Sequence, residues 1–318
     1  ELLPQNPKAI ILDLRNNAGG YMYAAVELAD QFLPPGRLIV YTEGVHSPRQ
    51  DLESTWLGNF EKGEVVVLLD EGSASASEIV AGALQDWDRG IIIGRRSFGK
   101  GLVQKQFPLN DGSAVRLTTA KYYTPSGRSI QKPYENGLDD YMDELNRRFE
   151  HGELVHQDSI AFPDSLMYST EGGRAVYGGG GIMPDVFVPW DSASYSDYYA
   201  ALVREGILND VVLEYTGSRR EDLLARYSDA AALIDGFLPG EELLPSMLTM
   251  AEARGVLHDE EGLQASRELI LAQLTALVAR NLFDVSSYFH VIMQIDPVYL
   301  KALEVLHDED VRHAILRK

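Results

Sequence analysis

Short apolar runs bounded by turn-forming residues recur through the first part of this chain. The runs at residues 8–14, 65–69 and 91–93 are predominantly apolar, as is typical of strands that are covered on both faces in a parallel sheet. A similar run near residue 40 also predicts a strand. Because helical or long connecting segments separate these runs, the pattern predicts an α/β core with parallel pairing.

Local signals between the runs predict the connecting elements. Apolar residues recur at helical spacing over 22–33, until two prolines end the run. Asn-Asp-Gly at 110–112 lies between two β-like runs and predicts a hairpin, and a further turn is expected at 124–127. The charged stretch at 135–162 is expected to be less regular. The apolar run at 186–188, which follows a glycine-rich loop, predicts one more strand.

The composition changes after about residue 190, where leucine, alanine and charged residues dominate. We therefore expect two domains, a core over residues 1–190 and a mostly helical C-terminal domain over 191–318. Asp284 and Ser286 are candidate caps between two of its helices. No segment of this region resembles a catalytic motif. Its helices are expected around 195–215, 220–237, 241–255, 262–281 and 297–306.

Composition and charge exclude several classes of function. A net charge of -20 over 318 residues argues against a nucleic-acid-binding surface, which needs clustered Lys and Arg. The chain has no cysteine, so disulfides, thiol catalysis and cysteine-ligated metals are excluded. The most apolar helical stretch, near 263–278, contains charged residues and is too polar to span a bilayer. We expect a folded, soluble protein that needs no cofactor and no metal.

Two loops are candidates for a functional site, the one after Leu14 and the one after Leu69. Both follow predicted strands, and sites in parallel sheets gather beyond the carboxyl ends of the strands. The segment Asn16 to Gly20 has two interpretations. It is a tight turn that needs positive φ, or its backbone N–H groups are oxyanion donors that need glycine for close approach.

A serine and a lysine in the central stretch are candidates for a nucleophile and its base. Ser75 follows the apolar run at 65–69 and precedes a helical segment, and Lys100 lies between two glycines 25 residues later. The usual base for a serine is histidine. Of the seven histidines, only His46 lies in the α/β segment, with no special spacing to an acid. A lysine can replace histidine when apolar surroundings such as Phe98 favour its neutral form.

Other residues in the same stretch would support this chemistry. The Gln104 amide could accept a hydrogen bond from Lys100 without adding charge. The backbone N–H of Ala76 would donate to the oxyanion, since the positive end of the helix dipole favours negative charge. The Gly19 and Gly20 turn would supply the second donor.

Structural interpretations of the same residues remain open. Ser75 and Glu78 match a capping box, in which the serine caps a helix and the glutamate returns the bond. Ser73 and Ser77 flank Ser75, so spacing alone does not choose among the three serines. Lys100 taken alone is consistent with a surface lysine in a glycine turn.

Five sequence blocks in the first 190 residues carry a further signal. They are LDLRNNAGG at 12–20, EGSASASEIVAGALQD at 71–86, GRRSFGKGLVQ at 94–104, LTTAKYYTPSGRSIQ at 117–131 and GGGIMPDV at 179–186. In this order they resemble the carboxyl-terminal processing, or tail-specific, serine peptidases. The resemblance implies that Ser75 is the nucleophile, Lys100 the base and Gln104 the supporting residue, on a crotonase-like core. Some descriptions of the family add an acid that matches Asp86, but eleven helical residues separate it from Ser75 by ~16 Å, so we expect it to hold the helix.

The resemblance also implies a function and a setting. It predicts a serine endopeptidase with a Ser-Lys dyad, acting on protein or peptide substrates near their C-termini in the cell envelope or periplasm of a bacterium. Family members usually carry an upstream PDZ domain that captures the substrate tail, and we expect this domain to lie outside the present chain. The helical region is expected to form a homo-oligomer or to dock a partner. The alternatives are a non-proteolytic module on the same fold that binds a hydrophobic ligand or a protein, and a scaffold whose working part is the helical domain.

Overall fold

The computed structural model describes residues 3–134, 137–160 and 162–316. Its first compact unit comprises residues 1–189 and 301–318, and the second comprises 190–300. The second unit begins at residue 190, where the composition of the sequence changes, and the residues from 301 onward belong to the first unit. Composition does not show this, because the grouping rests on tertiary contacts. One such contact is the ion pair between Arg312 and Glu64, whose charged atoms lie 3.7 Å apart.

Four parallel strands form the first sheet, in the order β1 (Ala9–Asp13), β4 (Glu64–Leu69), β5 (Ile91–Gly94) and β10 (Val186–Phe187). The prediction of parallel pairing is confirmed for the runs at 8–14, 65–69 and 91–93, and the further strand predicted at 186–188 joins the same sheet. β4 is central, and its side chains from 65 to 69 are almost fully buried. Burial on both faces is the reason that its sequence is continuously apolar.

The second sheet is antiparallel, in the order β3 (Ser47–Glu53), β2 (Leu38–Gly44), β7 (Ala114–Tyr123) and β6 (Leu102–Pro108). The run near residue 40 is a strand, but the prediction that it pairs in parallel was wrong. An apolar run specifies a buried strand without specifying its neighbour. The predicted hairpin at 110–112 is confirmed, since it joins β6 to β7.

Three α-helices and a small hairpin are also present in the described part of the first 189 residues. α1 (Met22–Asp30) ends earlier than its apolar spacing predicted, whereas α2 (Ala76–Asp86) has every residue buried. α3 (Leu138–Glu150) lies where an irregular stretch was expected. Acidic residues in its first turn and arginines in its last turn complement the helix dipole. The hairpin consists of β8 (Met167–Ser169) and β9 (Ala175–Tyr177).

The second unit is helical, as predicted, but its helix boundaries differ from the expected ones. The second helix continues through residues 215–220, where a break was expected. Asp284 caps a helix by accepting the N–H of Ser287 at 2.8 Å, whereas Ser286 lies inside that helix, so only the first predicted cap is confirmed. The helices are α4 (Asp197–Arg204), α5 (Ile207–Arg226), α6 (Ala230–Gly236), α7 (Pro239–Glu242), α8 (Leu244–Ala253), α9 (Glu260–Ala265), α10 (Arg267–Leu282) and α11 (Val285–Ile292).

Two further helices follow, α12 (Pro297–His307) and α13 (Glu309–Leu316). The division between the units falls within α12, after residue 300, and α13 belongs to the first unit. α10 is the central helix of the second unit and packs against α5 and α11. Within the described ranges, no helix combines the length and the apolar character needed to cross a membrane.

Candidate active site

The loops that follow β1 and β4 contact each other at the carboxyl edge of the parallel sheet. The N–H of Asn16 donates to Oδ1 of Asp70 at 2.8 Å, and the N–H of Ala74 donates to the carbonyl of Asn17 at 2.9 Å. Because β1 and β4 are neighbouring parallel strands, the loops that follow them lie at the same edge of the sheet. The two segments that were candidates for a functional site are therefore one structure.

Ser75 lies at the junction between the second loop and α2. Its φ of +55° is in a region that non-glycine residues rarely adopt. Such conformations persist where the surroundings enforce them, and they cluster at functional sites. Ala76 is the first residue of α2, so its N–H has no partner within the helix.

The hydroxyls of the two flanking serines have structural roles. Ser73 Oγ donates to the carbonyl of Leu14 at 2.8 Å, and Ser77 Oγ donates to the carbonyl of Asn17 at 3.0 Å. Both bonds join the α2 turn to the loop after β1. Of the three serines that spacing could not separate, these two hold the loops together, which favours Ser75 as the functional one.

Gly19 lies directly against the Ser75 turn. Its φ is +91°, and a Cβ at this position would lie 2.5 Å from the carbonyl oxygen of Ala74 and 2.6 Å from the nitrogen of Ala76. Only glycine fits here. Its own N–H donates to Oδ1 of Asn17 at 2.9 Å. In the part of the chain that the structure describes, the N–H groups of Ala76 and Gly20 have no protein acceptor.

Glu78 connects this turn to the segment that carries Lys100. Its buried carboxylate accepts the N–H groups of Ser75 and Lys100 on Oε2, at 2.8 and 2.9 Å. Oε1 accepts the Ser97 hydroxyl at 2.5 Å and the Gly99 N–H at 2.7 Å. Burial raises the pKa of Glu78, and these four donors oppose the rise. The return bond expected from a capping box is present, but the same carboxylate also organises residues 97–100.

Tyr122, a residue that the sequence did not single out, makes a second connection. Its hydroxyl lies 2.6 Å from the carbonyl oxygen of Lys100 and 3.0 Å from that of Ser75. The side chain is almost fully buried on β7, and burial raises the pKa of the phenol well above its ordinary value. The main chains of Ser75 and Lys100 are thus fixed relative to each other by two buried side chains.

The side chains of the predicted dyad are not hydrogen bonded in this state. Among the described residues, Oγ of Ser75 and Nζ of Lys100 share no hydrogen bond, and the half-buried Lys100 side chain has no ion-pair partner. Gln104 is exposed and shares no hydrogen bond with Lys100 in the described part of the chain, and the register of β6 shifts between Val103 and Gln104. Bonds between catalytic groups often form only with substrate bound, so the dyad and the role of Gln104 stay predictions.

Asp86 lies at the far end of α2 and has other partners. Its carboxylate accepts the N–H of Ser126 at 2.9 Å and Nη2 of Arg128 at 2.8 Å. Arg128 is fully buried. The expectation that Asp86 holds the helix in place is confirmed.

Family models match two segments of the chain. Residues 1–139 match the model of Peptidase family S41. Residues 198–284 match a family of unknown function, DUF8443. The resemblance to the carboxyl-terminal processing peptidases is confirmed for the first segment, and the helical segment has relatives without an assigned function.

The sequences of two named proteases agree with the family match. The carboxy-terminal-processing protease of Bartonella bacilliformis is 51% identical over 125 residues, which are 39% of this chain and 29% of that protein. The carboxyl-terminal-processing protease of Synechocystis sp. is 44% identical over 135 residues, which are 42% of this chain and 30% of that protein. The chain thus spans less than a third of the length of these two relatives. Among solved structures, the photosystem II D1 C-terminal processing protease is 29% identical, with a TM-score of 0.42, covering 60% of this chain and 37% of that chain.

Proposed function

We propose that residues 1–189 form the catalytic core of a serine endopeptidase of the C-terminal processing type, with Ser75 as nucleophile and Lys100 as base. The observation that best supports the proposal is that the same two side chains hold the main chains of Ser75 and Lys100. Glu78 receives both of their N–H groups, and Tyr122 lies against both of their carbonyls. We further propose that the parallel sheet and α2 belong to a crotonase-like core, and that the helical unit is a separate domain.

The proposed reaction uses a serine activated by a neutral amine. Oγ of Ser75 attacks the carbonyl carbon of the scissile peptide bond while Nζ of Lys100 takes the hydroxyl proton. The C–N bond then breaks, and the Lys100 ammonium returns that proton to the leaving amine. A water molecule repeats the sequence on the acyl-enzyme, releasing the second product and regenerating Ser75.

The backbone around Ser75 would stabilise the negative charge of the intermediate. The N–H of Ala76 lies at the N-terminus of α2, where the helix dipole favours an anion. Because the N–H of Gly19 is bonded to Asn17, we assign the second donor to Gly20, with Gly19 providing close approach. We propose that Gln104 supports Lys100 when substrate is bound.

Substitution in the full-length protein tests this function. Ser75→Ala and Lys100→Ala should each abolish cleavage of an unfolded protein such as casein. Lys105→Ala, which removes an exposed lysine of β6, is the matched control and should leave cleavage unchanged. If Lys100→Ala kept most of the activity, the dyad would be wrong.

Active-site labelling separates a peptidase from a binding module on the same fold. A fluorophosphonate should modify Ser75 of the wild type, as located by mass spectrometry of the labelled peptide. The Lys100→Ala variant should react much more slowly, since the serine would lack its base. Equal labelling of Ser73, Ser75 and Ser77 would contradict a single activated nucleophile.

Location and assembly are also part of the proposal. The matched relatives include bacterial and chloroplast processing proteases, which supports a bacterial cell envelope or periplasmic location and protein substrates. Cell fractionation tests the location. We propose that the helical unit mediates homo-oligomer formation, which light scattering of the full chain would test.

A further inference from the structure

The segment beyond the S41 match contacts the chain just before Lys100. The match ends at residue 139, and the buried side chain of Arg148 on α3 lies beyond it. Its guanidinium donates from Nη2 to the carbonyl of Arg96 at 2.7 Å and from Nη1 to the carbonyl of Ser97 at 3.0 Å. The Arg148 side chain thus binds two consecutive carbonyls. We call residues 96–101, the segment that begins with these two residues, the lysine loop.

Glu153 fixes the guanidinium of Arg148 in this position. Its Oε1 accepts Nε of Arg148 at 2.8 Å, and its two oxygens also accept Nε and Nη2 of Arg96 at 2.6 and 2.7 Å. Arg96 in turn donates to the carbonyl of Gly180 at 2.7 Å. Buried arginines are costly unless their donors are satisfied, and here the carboxylate and the carbonyls satisfy them.

A second contact holds the middle of the lysine loop. The ammonium of Lys132 lies 3.9 Å from the ring centre of Phe98 and 4.3 Å from that of Tyr141 on α3. It also pairs with Glu144 of the same helix at 3.0 Å. The backbone N–H of Lys132 donates to the carbonyl of Gly99 at 2.9 Å. α3 therefore acts on the loop at two points.

Ser97 joins these contacts to the candidate active site. Its carbonyl accepts Arg148, while its hydroxyl donates to Oε1 of Glu78. The other oxygen of Glu78 accepts the N–H groups of Ser75 and Lys100. The hydrogen bonds are continuous from α3 to both members of the proposed dyad.

We propose that Arg148 is a positioning residue, which places Lys100 by fixing the lysine loop at Arg96 and Ser97. Its effect on catalysis rests on the proposed peptidase function. The planar guanidinium fork reaches two carbonyls at once, a geometry that the single ammonium of lysine does not reproduce. A segment outside the family match thereby controls the geometry of the reaction.

Kinetics of three variants of the full-length protein test this role. Arg148→Ala should lower kcat by about 100-fold with KM changed by no more than about twofold, because a base misplaced by ~1 Å loses rate and not binding. Arg148→Lys should show an intermediate loss. The matched control is Arg147→Ala, which removes the neighbouring arginine that pairs with Asp140 and Asp143 on the helix surface, and its kcat should equal that of the wild type.

Hydrogen exchange measured by mass spectrometry supplies a readout that does not depend on activity. The amides of Gly99 and Lys100 should exchange faster by about tenfold or more in Arg148→Ala, since their bonds to Glu78 depend on the position of the loop. Arg147→Ala should leave them unchanged. Faster exchange in Arg148→Ala of a chain that has no peptidase activity would refute the proposed function and support the positioning of the loop.

If the Arg148→Ala variant does not fold, the Arg148→Lys variant still tests the proposal. Arg148→Lys retains a positive charge beside Glu153, so that the buried carboxylate keeps a second cationic neighbour besides Arg96. Should a folded Arg148→Lys variant show wild-type kcat and wild-type exchange at residues 97–100, the positioning role would be overturned. Equal losses in Arg147→Ala and Arg148→Ala would also overturn it, because they would indicate a general effect of α3.

Discussion

Ser75 and Lys100 donate their backbone N–H groups to the same oxygen atom, Oε2 of Glu78, at 2.8 and 2.9 Å. The two residues lie 25 positions apart in the sequence. One buried carboxylate thus determines where the proposed nucleophile and the proposed base lie relative to each other. This relationship predicts that Glu78 matters for activity although it need not touch a substrate.

Replacing Glu78 by glutamine should impair both stability and activity. The amide oxygen could still accept two donors. The amide nitrogen would face either the N–H groups of Ser75 and Lys100 or the hydroxyl of Ser97 and the N–H of Gly99. Leaving two buried donors unpaired costs about 2–4 kcal/mol. Urea unfolding should show this loss, and peptidase activity should fall by about 100-fold.

The control for this variant is Glu27→Gln, at an exposed position of α1. It removes the same charge without removing a buried acceptor, and it should leave both measurements near the wild-type values. Wild-type activity in a folded Glu78→Gln variant would show that the shared carboxylate is not needed for the chemistry.

The two glycines of the first loop should respond differently to alanine. Gly19→Ala places a methyl group 2.5 Å from the carbonyl oxygen of Ala74 at a φ of +91°, so it should destabilise the fold by about 1–3 kcal/mol and abolish activity. Gly20→Ala meets no atom within 4 Å and keeps its N–H, so it should retain stability and most of the activity. Thermal unfolding and casein cleavage measure both effects. A tolerant Gly19→Ala variant would contradict the packing described for this turn.

The sequence predicted which segments of the core form strands and helices better than it predicted how these elements pair and pack. Apolar runs identified the parallel strands because burial on both faces leaves a local signature. The sequence did not predict the antiparallel pairing of β2 with β7, because strand pairing is non-local. It also did not predict α3, because charged residues separate the apolar residues of this helix. Ser75 and Lys100 were singled out by their turns and by family resemblance.

The residues that connect Ser75 and Lys100 were less predictable. Glu78 was recognised only as part of a capping box, because a local motif does not reveal a second set of partners. Tyr122 and Arg148 carry no local signal at all. Their importance lies in where a hydroxyl and a guanidinium point in the folded chain, which only tertiary packing decides.

Removal of the Tyr122 hydroxyl should loosen the Ser75 and Lys100 segments without altering the core. Tyr122→Phe keeps the buried ring but leaves two carbonyls without this donor, which costs about 1–2 kcal/mol. Activity should fall by about tenfold, as expected for a loss of ~1.4 kcal/mol from transition-state stabilisation. Tyr123→Phe is the matched control, since that ring stacks on Tyr41 at the neighbouring position of β7. Equal activities of the two variants would argue against a role for the Tyr122 hydroxyl.

The contribution of Glu153 to stability should depend on pH. Burial alone would raise the pKa of Glu153, but the bonds to Arg96 and Arg148 outweigh it and lower the pKa below its ordinary value of 4.5. The unfolded chain therefore binds a proton more readily than the folded one in acid, so the stabilisation is complete above the unfolded pKa and is lost as pH falls through the folded pKa. The free-energy difference in unfolding between wild type and Glu153→Gln should be constant near neutral pH and shrink below about pH 4.5. Glu150→Gln, at the exposed end of α3, should differ little from wild type at any pH. A Glu153→Gln difference that stays the same from neutral pH into acid would show that the carboxylate is not stabilised by its arginines.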